Sequence, residues 1–328
     1  MFLVMIISVS ASAQAAAGQN SLQSAAAQEA VRLSQQVVTL FQQKKYAEAL
    51  PIAKKVIEIR EREFGKTHIS VAQSYRNLAY IQLQLGKEKE AAGNFENAFD
   101  IYEKNRPLSA ADEKTFAELL EVVATNQAVS GNFDKAEKNF QRAVELREKL
   151  NGTDDIVTAD ALTRLADLYQ ATGEYEKAAP LLLRALDIKV KKLGSKNEAA
   201  DDVFQRVSCT LNKLGRKDEA DKLENKLYPP EPDDVPISHS GIVNGKAIRL
   251  ITPPYPAEAK PKRVSGKVNV KVTINETGKV IHACAIDGAK ELQRASESAA
   301  YLSTFSPTTI NKKPVKVTGI IVYNFIAQ

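Results

Sequence analysis

Gly131-Asn132-Phe133-Asp134-Lys135-Ala136 and Gly173-Glu174-Tyr175-Glu176-Lys177-Ala178 decide the fold. The same text recurs as Lys44-Lys45-Tyr46-Ala47-Glu48-Ala49, Gly86-Lys87-Glu88-Lys89-Glu90-Ala91 and Gly215-Arg216-Lys217-Asp218-Glu219-Ala220. The closing alanines lie 42, 45, 42 and 42 residues apart. A fixed period of this size is the signature of a stacked repeat. A helix precedes each Gly, which ends it. A second helix follows and carries small and bulky apolar residues at spacings of four and three: Ala91, Phe95 and Ala98; Ala136, Phe140 and Ala143; Ala178, Leu182 and Ala185. Those spacings share one helical face. Alanine there lets two helices approach closely, and the larger residue fills the space between them. One pair cannot bury its face alone, so pairs must stack.

Working outward, the chain has 328 residues, enough for two or three domains. Apolar residues make up 44% and charged residues 26%, an ordinary globular balance. Residues 1–228 carry 32 basic and 32 acidic side chains; residues 229–328 carry 13 and 8, the whole excess of +5. Phe2 to Val9 is a short apolar run followed by Ala11-Ser12-Ala13 and Ala13-Gln14-Ala15, the pattern of a secretory signal, though no Lys or Arg precedes it. Residues 1–17 therefore read as a signal or as an apolar N-terminus that frays. A signal implies an exported, periplasmic chain beginning near Gln14. No apolar run approaches the length of about 20 residues that a spanning helix needs.

Tyr228-Pro229-Pro230-Glu231-Pro232 opens a proline-rich linker over 228–239. Beyond it the pattern changes. Val268, Val270, Val272 and Ile274 alternate with Lys267, Asn269, Lys271 and Thr273, a half-buried strand. Asn275-Glu276-Thr277-Gly278 is a turn, and Val280 to Ile286 returns. Glu291 to Ser303 reads as a helix with Leu292, Ala295, Ala299 and Leu302 inward, and Val315 to Ile326 as a closing strand apolar on both faces. A central strand reads that way, and so does an edge strand that accepts a partner.

The repeat text resembles the tetratricopeptide repeat over residues 26–227. The period and phrases such as Val144-Glu145-Leu146-Arg147-Glu148-Lys149 are similar to the kinesin-light-chain variety. That resemblance implies a concave groove, lined by each first helix, that holds peptides or protein segments. Register places Gln35, Asn77, Val122, Arg164 and Arg206 nine residues before each Gly or its equivalent. Neighbouring candidates are Gln73, Arg76, Tyr80, Glu118, Thr125, Asp160 and Asp167. A rigid spacer or dimerisation platform with a solvated groove is the alternative reading.

Tyr255-Pro256 with Ala259, Gly266-Lys267-Val268, Thr277-Gly278-Lys279-Val280, Phe305-Ser306-Pro307, Pro314-Val315 and Tyr323-Asn324-Phe325 together resemble the TonB C-terminal domain over 240–328. The expected fold class is thus an α-helical solenoid of tetratricopeptide-like helix pairs followed by a small α+β domain of β-β-α-β order. In the TonB family that domain sits in the periplasm of a bacterium with two membranes and captures an extended segment of an outer-membrane transporter by strand addition. The resemblance carries that edge to Val317, Gly319, Ile321, Tyr323 and Phe325. The rival is a TonB-like energy transducer, which needs an anchoring N-terminal helix.

No phosphate-binding Gly loop, His-Glu-x-x-His helix, Cys-x-x-Cys pair or nucleophile elbow occurs in the sequence. The expectation is a non-enzyme with no cofactor and no metal. His68 opens a helix, His239 lies near the linker and His282 on a strand. Cys209 in a helical region and Cys284 in a strand-like one read as small buried residues, unpaired. The basic tail lacks interleaved aromatics, so the expected partners exclude nucleic acid and include proteins, extended peptide segments and an anionic cell-envelope polymer.

Overall fold

The computed structural model describes residues 24–228, 246–310 and 313–327. The proposed signal segment, His239 and most of the proline-rich linker lie outside the described residues. The chain forms two compact units, residues 1–172 and 173–328.

The first unit is helical: α1 (Ala25–Gln42), α2 (Tyr46–Phe64), α3 (Ile69–Gln84), α4 (Glu88–Lys104), α5 (Ala110–Val129), α6 (Phe133–Asn151) and α7 (Ile156–Thr172). Each packs on the next in antiparallel pairs. The first helices have side-chain caps. Ser24 Oγ accepts from the Ala27 amide, His68 Nδ1 from Ser70 and Ser109 Oγ from Asp112. The expected alanine face is the one buried: Ala91, Ala98, Ala136 and Ala143 have no exposed surface, and Phe95 and Phe140 lie between them. Gly86 and Gly131 end their helices at φ +71° and +79°. The next amides, of Lys87 and Asn132, reach back to the carbonyls of Gln82 and Gln127. Lys44 holds the same place at φ +60°, and Lys45 reaches back to Leu40. A side chain makes that conformation costly, so the first repeat keeps the turn despite its residue.

The second unit opens with α8 (Tyr175–Leu193), α9 (Glu198–Lys213) and α10 (Lys217–Leu227). Then come β1 (Ala247–Arg249), β2 (Gly266–Ile274), β3 (Val280–Asp287), α11 (Lys290–Tyr301), β4 (Thr304–Phe305), β5 (Thr309–Ile310), β6 (Lys313–Pro314) and β7 (Val317–Phe325). The main sheet has the order β3-β2-β7, antiparallel throughout. Val268, Val270, Val272 and Ile274 are buried as the alternation requires, against Leu292, Ala299 and Ala300 of α11. Tyr255 donates to the Val264 carbonyl at 2.6 Å and packs against the core, tying the entry segment down. Leu302 departs from expectation. It is 64% exposed because α11 ends at Tyr301, which removes it from the inner face.

The cysteines are also corrected. Cys209 and Cys284 are not unpaired; they form a disulfide with Cα atoms 5.7 Å apart, closing 75 residues. In the chain-entropy picture a loop of that length contributes about 4 kcal/mol through the unfolded state. The reason is a helical stripe. Asp202, Arg206, Cys209 and Lys213 recur at spacings of four, three and four, so α9 turns one polar face to the sheet. Asp202 lies 3.3 Å from His282 Nε2, and Lys213 Nζ is 2.6 Å from Glu297 and 2.8 Å from Gln293 of α11. Lys316 pairs with Asp201 at 2.6 Å and Lys271 with Glu224 at 3.7 Å. The hydrophobic core of the sheet contains only residues between 251 and 325. Helix α9 is therefore held to it by one covalent bond and by charge.

Two outcomes follow. Lys44→Gly removes the left-handed side chain and is expected to raise stability by about 1 kcal/mol, read from denaturant unfolding. Burial holds His282 below its usual pKa, against the pull of Asp202 and Asp201 and with the help of Arg206 and Lys316. A depressed histidine contributes stability above its unfolded value, about 6.5, and loses it as the pH falls through the folded one. The melting temperature is thus expected to drop more between pH 7.5 and 5 in the natural chain than in His282→Gln; parallel drops would remove His282 from the account.

Candidate functional site

Helices α3, α5 and α7 carry most of the groove candidates. Arg76 on α3 is buried and lies 3.7 Å from Glu118 on α5. Tyr80, half-buried, has its hydroxyl pushed up to about 12 by desolvation. Thr125 donates to the Glu121 carbonyl at 2.8 Å, which spends its hydroxyl within its own helix. Val122 packs against the hydrophobic core of the array. Gln73, Asp160 and Asp167 are half-buried, and Gln35 is exposed. Asn77 has its Oδ1 buried without a partner. Arg206, on α9 in the other unit, is paired with Asp202 at 3.1 Å.

One charged centre joins candidates to residues that the sequence reading missed. Glu121 is buried, with Arg147 Nε 2.9 Å from Oε1 and Arg164 Nε 3.1 Å from Oε2. Arg147 comes from α6, a second helix, and is buried too. Burial raises the Glu121 pKa, and the two guanidinium groups oppose it. Arg164 remains 47% exposed, the outward half of the centre.

A repeat signal could have found this. Arg147 stands eleven residues after closing alanine Ala136; the same step from Ala49, Ala91 and Ala178 reaches Arg60, Tyr102 and Lys189. All four are buried. This is a second register of the repeat, a buried side chain with a polar end on the second helix, and from Arg60 and Arg147 that end reaches the first helices. Arg60 donates to the Ser70 carbonyl and Ser74 Oγ, each at 2.8 Å, and to Ser34 Oγ at 3.0 Å. Desolvation lowers its pKa to about 10.

The sheet offers the other surface. On its β3 side, Glu297 Oε1 accepts from the Ala285 amide at 2.8 Å, and α9 lies against the strand. On its other side β7 pairs with β2 from Gly266↔Phe325 to Ile274↔Val317 and with no further strand among the described residues. β7 is thus an edge, which resolves the double reading of its apolar pattern. Ile321, Tyr323 and Phe325 are buried in the core, and Val317 and Gly319 are half-buried. The accessible apolar side chains of β7 are Ile320 and Val322, which are 52% and 55% exposed. Cys209, Cys284 and Glu297 approach within 4.8 Å of one another, but the sulfurs are bonded to each other and present no thiolate to a metal.

A tetratricopeptide-repeat family model matches residues 28–104 and 116–191, and the Gram-negative bacterial TonB protein C-terminal family matches 251–326. The chain is a tetratricopeptide-repeat protein with a TonB-type C-terminal domain. No curated protein matches it. The repeat fold is similar to the TPR-like repeats of a kinesin light chain from Podosopora anserina, 20% identical with a TM-score of 0.49, over 61% of this chain and 93% of that one. It is similar to the apo form of RapI at 17% identity and a TM-score of 0.50, over 66% and 56% of the two chains. YrrB, described as a TPR protein with an unusual peptide-binding site, aligns at 18% identity and 0.43, over 60% and 84%. Among the described residues of this TPR–TonB chain, no helix is long and apolar enough to cross a membrane.

The charged centre sets a test. Arg147→Ala strands the buried Glu121 carboxylate, with an expected cost of about 3 kcal/mol. Arg164→Ala removes its exposed partner, with an expected cost of about 1 kcal/mol or less. Denaturant unfolding of the two variants compares them; equal costs would mean that burial does not govern the centre.

Proposed function

We propose that this chain is a non-enzymatic adaptor of the bacterial cell envelope. Its repeat groove holds one protein segment, and the open edge of β7 takes an extended segment of another by strand addition. The observation that carries this reading is the asymmetry of the sheet. The β3 side is covered by α9 and by the Glu297 carboxylate, whereas the β7 side meets no further strand among the described residues and carries the exposed Ile320 and Val322. Strand addition draws its affinity from main-chain hydrogen bonds and its selectivity from alternate side chains. The domains are drawn as an array over 26–227 and a TonB-type domain over 240–328. The periplasm is the proposed location, because a disulfide persists where thiols are oxidised, and Cys209–Cys284 is one. Outer-membrane transporters, whose segments are extended, are the proposed class of partner for the edge.

The test uses the full chain and synthetic extended peptides from the N-terminal segments of outer-membrane transporters. A binding peptide is expected to shift the amide resonances of Val317–Phe325. N-methylation of its alternate amides is expected to weaken it at least tenfold, while a side-chain change weakens it less. Binding that is indifferent to N-methylation, or that leaves β7 unshifted, would overturn strand addition.

A further inference from the structure

The last repeat turns its concave-face positions to the sheet of its own chain. Asp202, Arg206 and Cys209 stand thirteen, nine and six residues before Gly215. Gln73, Asn77 and Tyr80 stand at the same offsets from Gly86, and Asp160, Arg164 and Asp167 at the same offsets from Gly173. In the last repeat two of the three meet β3. Asp202 lies 3.3 Å from His282 Nε2, and Cys209 is bonded to Cys284. His282 and Cys284 are two residues apart on the strand and share one face.

Three observations make the sulfur bond decisive for this contact. The sheet has its own core, which among the described residues contains only residues between 251 and 325 and none of α9. It therefore keeps that core when α9 leaves. The rest of the contact is ionic and partly wet. Lys213 pairs with Glu297, Lys316 with Asp201 and Lys271 with Glu224, and in these pairs Glu297, Lys316 and Glu224 keep 25%, 32% and 33% of their side-chain surface exposed. Such pairs are individually weak, and salt screens them. Finally, the bond is within reach of solvent. Cys209 and Cys284 are half-buried, and the half-buried Glu297 carboxylate comes within 4.8 Å of both sulfurs.

We propose that Cys209–Cys284 is a redox latch that decides whether the C-terminal domain stays seated on the last repeat. A dithiol reductant opens it. One thiolate of the reductant attacks one sulfur, and the electron pair of the S–S bond leaves on the other sulfur, which takes up a proton. The second thiol of the reductant then displaces the mixed disulfide. Two electrons and two protons pass to the chain, which is left with two thiols, and the reductant departs as a disulfide. Seated, the domain covers Asp202 and Cys209 of α9. Released, it stays joined through residues 229–245 and presents both that face and the face of β3 that carries His282. The latch concerns this chain alone and does not rest on the capture of any segment.

The test uses the full chain. Amide nitrogen relaxation gives the tumbling time of β2, β3 and β7 beside that of α8, α9 and α10. In the oxidised chain the two sets are expected to share one tumbling time, even in about 1 M NaCl, where the screening length is about 3 Å. With dithiothreitol added at that salt, the sheet is expected to tumble at least about twofold faster than the helices while its resonances stay dispersed. Cys209→Ser combined with Cys284→Ser is expected to do the same without reductant and to ignore dithiothreitol. Lys213→Glu sets a like charge against Glu297, so it is expected to leave the oxidised chain seated and to release the reduced one at low salt as well. A single tumbling time in the reduced chain at high salt would mean that the other contacts suffice, and would overturn the latch. Loss of the dispersed sheet resonances on reduction would mean that the bond serves folding of the domain, and would overturn it too.

Discussion

The distance of closest approach between helices governs everything in the array. Ala49, Ala91, Ala136, Ala178 and Ala220 are almost without exposed surface. A larger side chain at any of these points would force its neighbours apart, and a packed interior accommodates such a shift poorly. Close approach leaves little volume in the floor between helices, so only what the second helix sends there can fill it. That is why the position eleven residues further on carries Arg60, Tyr102, Arg147 and Lys189, long side chains with a polar end. The ends of Arg60 and Arg147 reach the first helices, at Ser34 and Ser74 and at Glu121. The polar centres of the groove are thus a by-product of the alanine contacts.

Much of this was legible from residue identities alone. The glycine phrase, its period and the alanine face fixed the helix pairs, because local signals and stacking demand the same residues. The alternation of Val268 to Ile274 likewise placed the central strand. The misses share another character. Cys209 and Cys284 read as isolated small residues because their partnership depends on α9 meeting β3, across 75 residues. Glu121 read as one more acid on a helix, since only the arrival of Arg147 from another helix distinguishes a buried carboxylate from a solvated one. Leu302 fitted the inward face by spacing, but the helix stops one residue short of it. On β7 the sequence offered a strand apolar on both faces, and the structure adds which face is buried, with Ile321, Tyr323 and Phe325, and which is accessible, with Ile320 and Val322.

Comparing repeats within one chain adds what composition does not. Quasi-equivalent positions share a backbone environment, so a changed residue stands out against its own sisters. Lys44 in a glycine's place shows a turn that tolerates strain. Ser34 stands ten residues before Lys44 as Glu121 stands ten before Gly131, so the buried Arg60 meets hydroxyls where Arg147 meets a carboxylate.

The cross-link between α9 and β3 also shortens the covalent path through the second unit. Residues 209 and 284 are neighbours through two sulfur atoms, so a cut in the backbone anywhere between them leaves α9 and β3 in one covalent piece, and only reduction as well would part them.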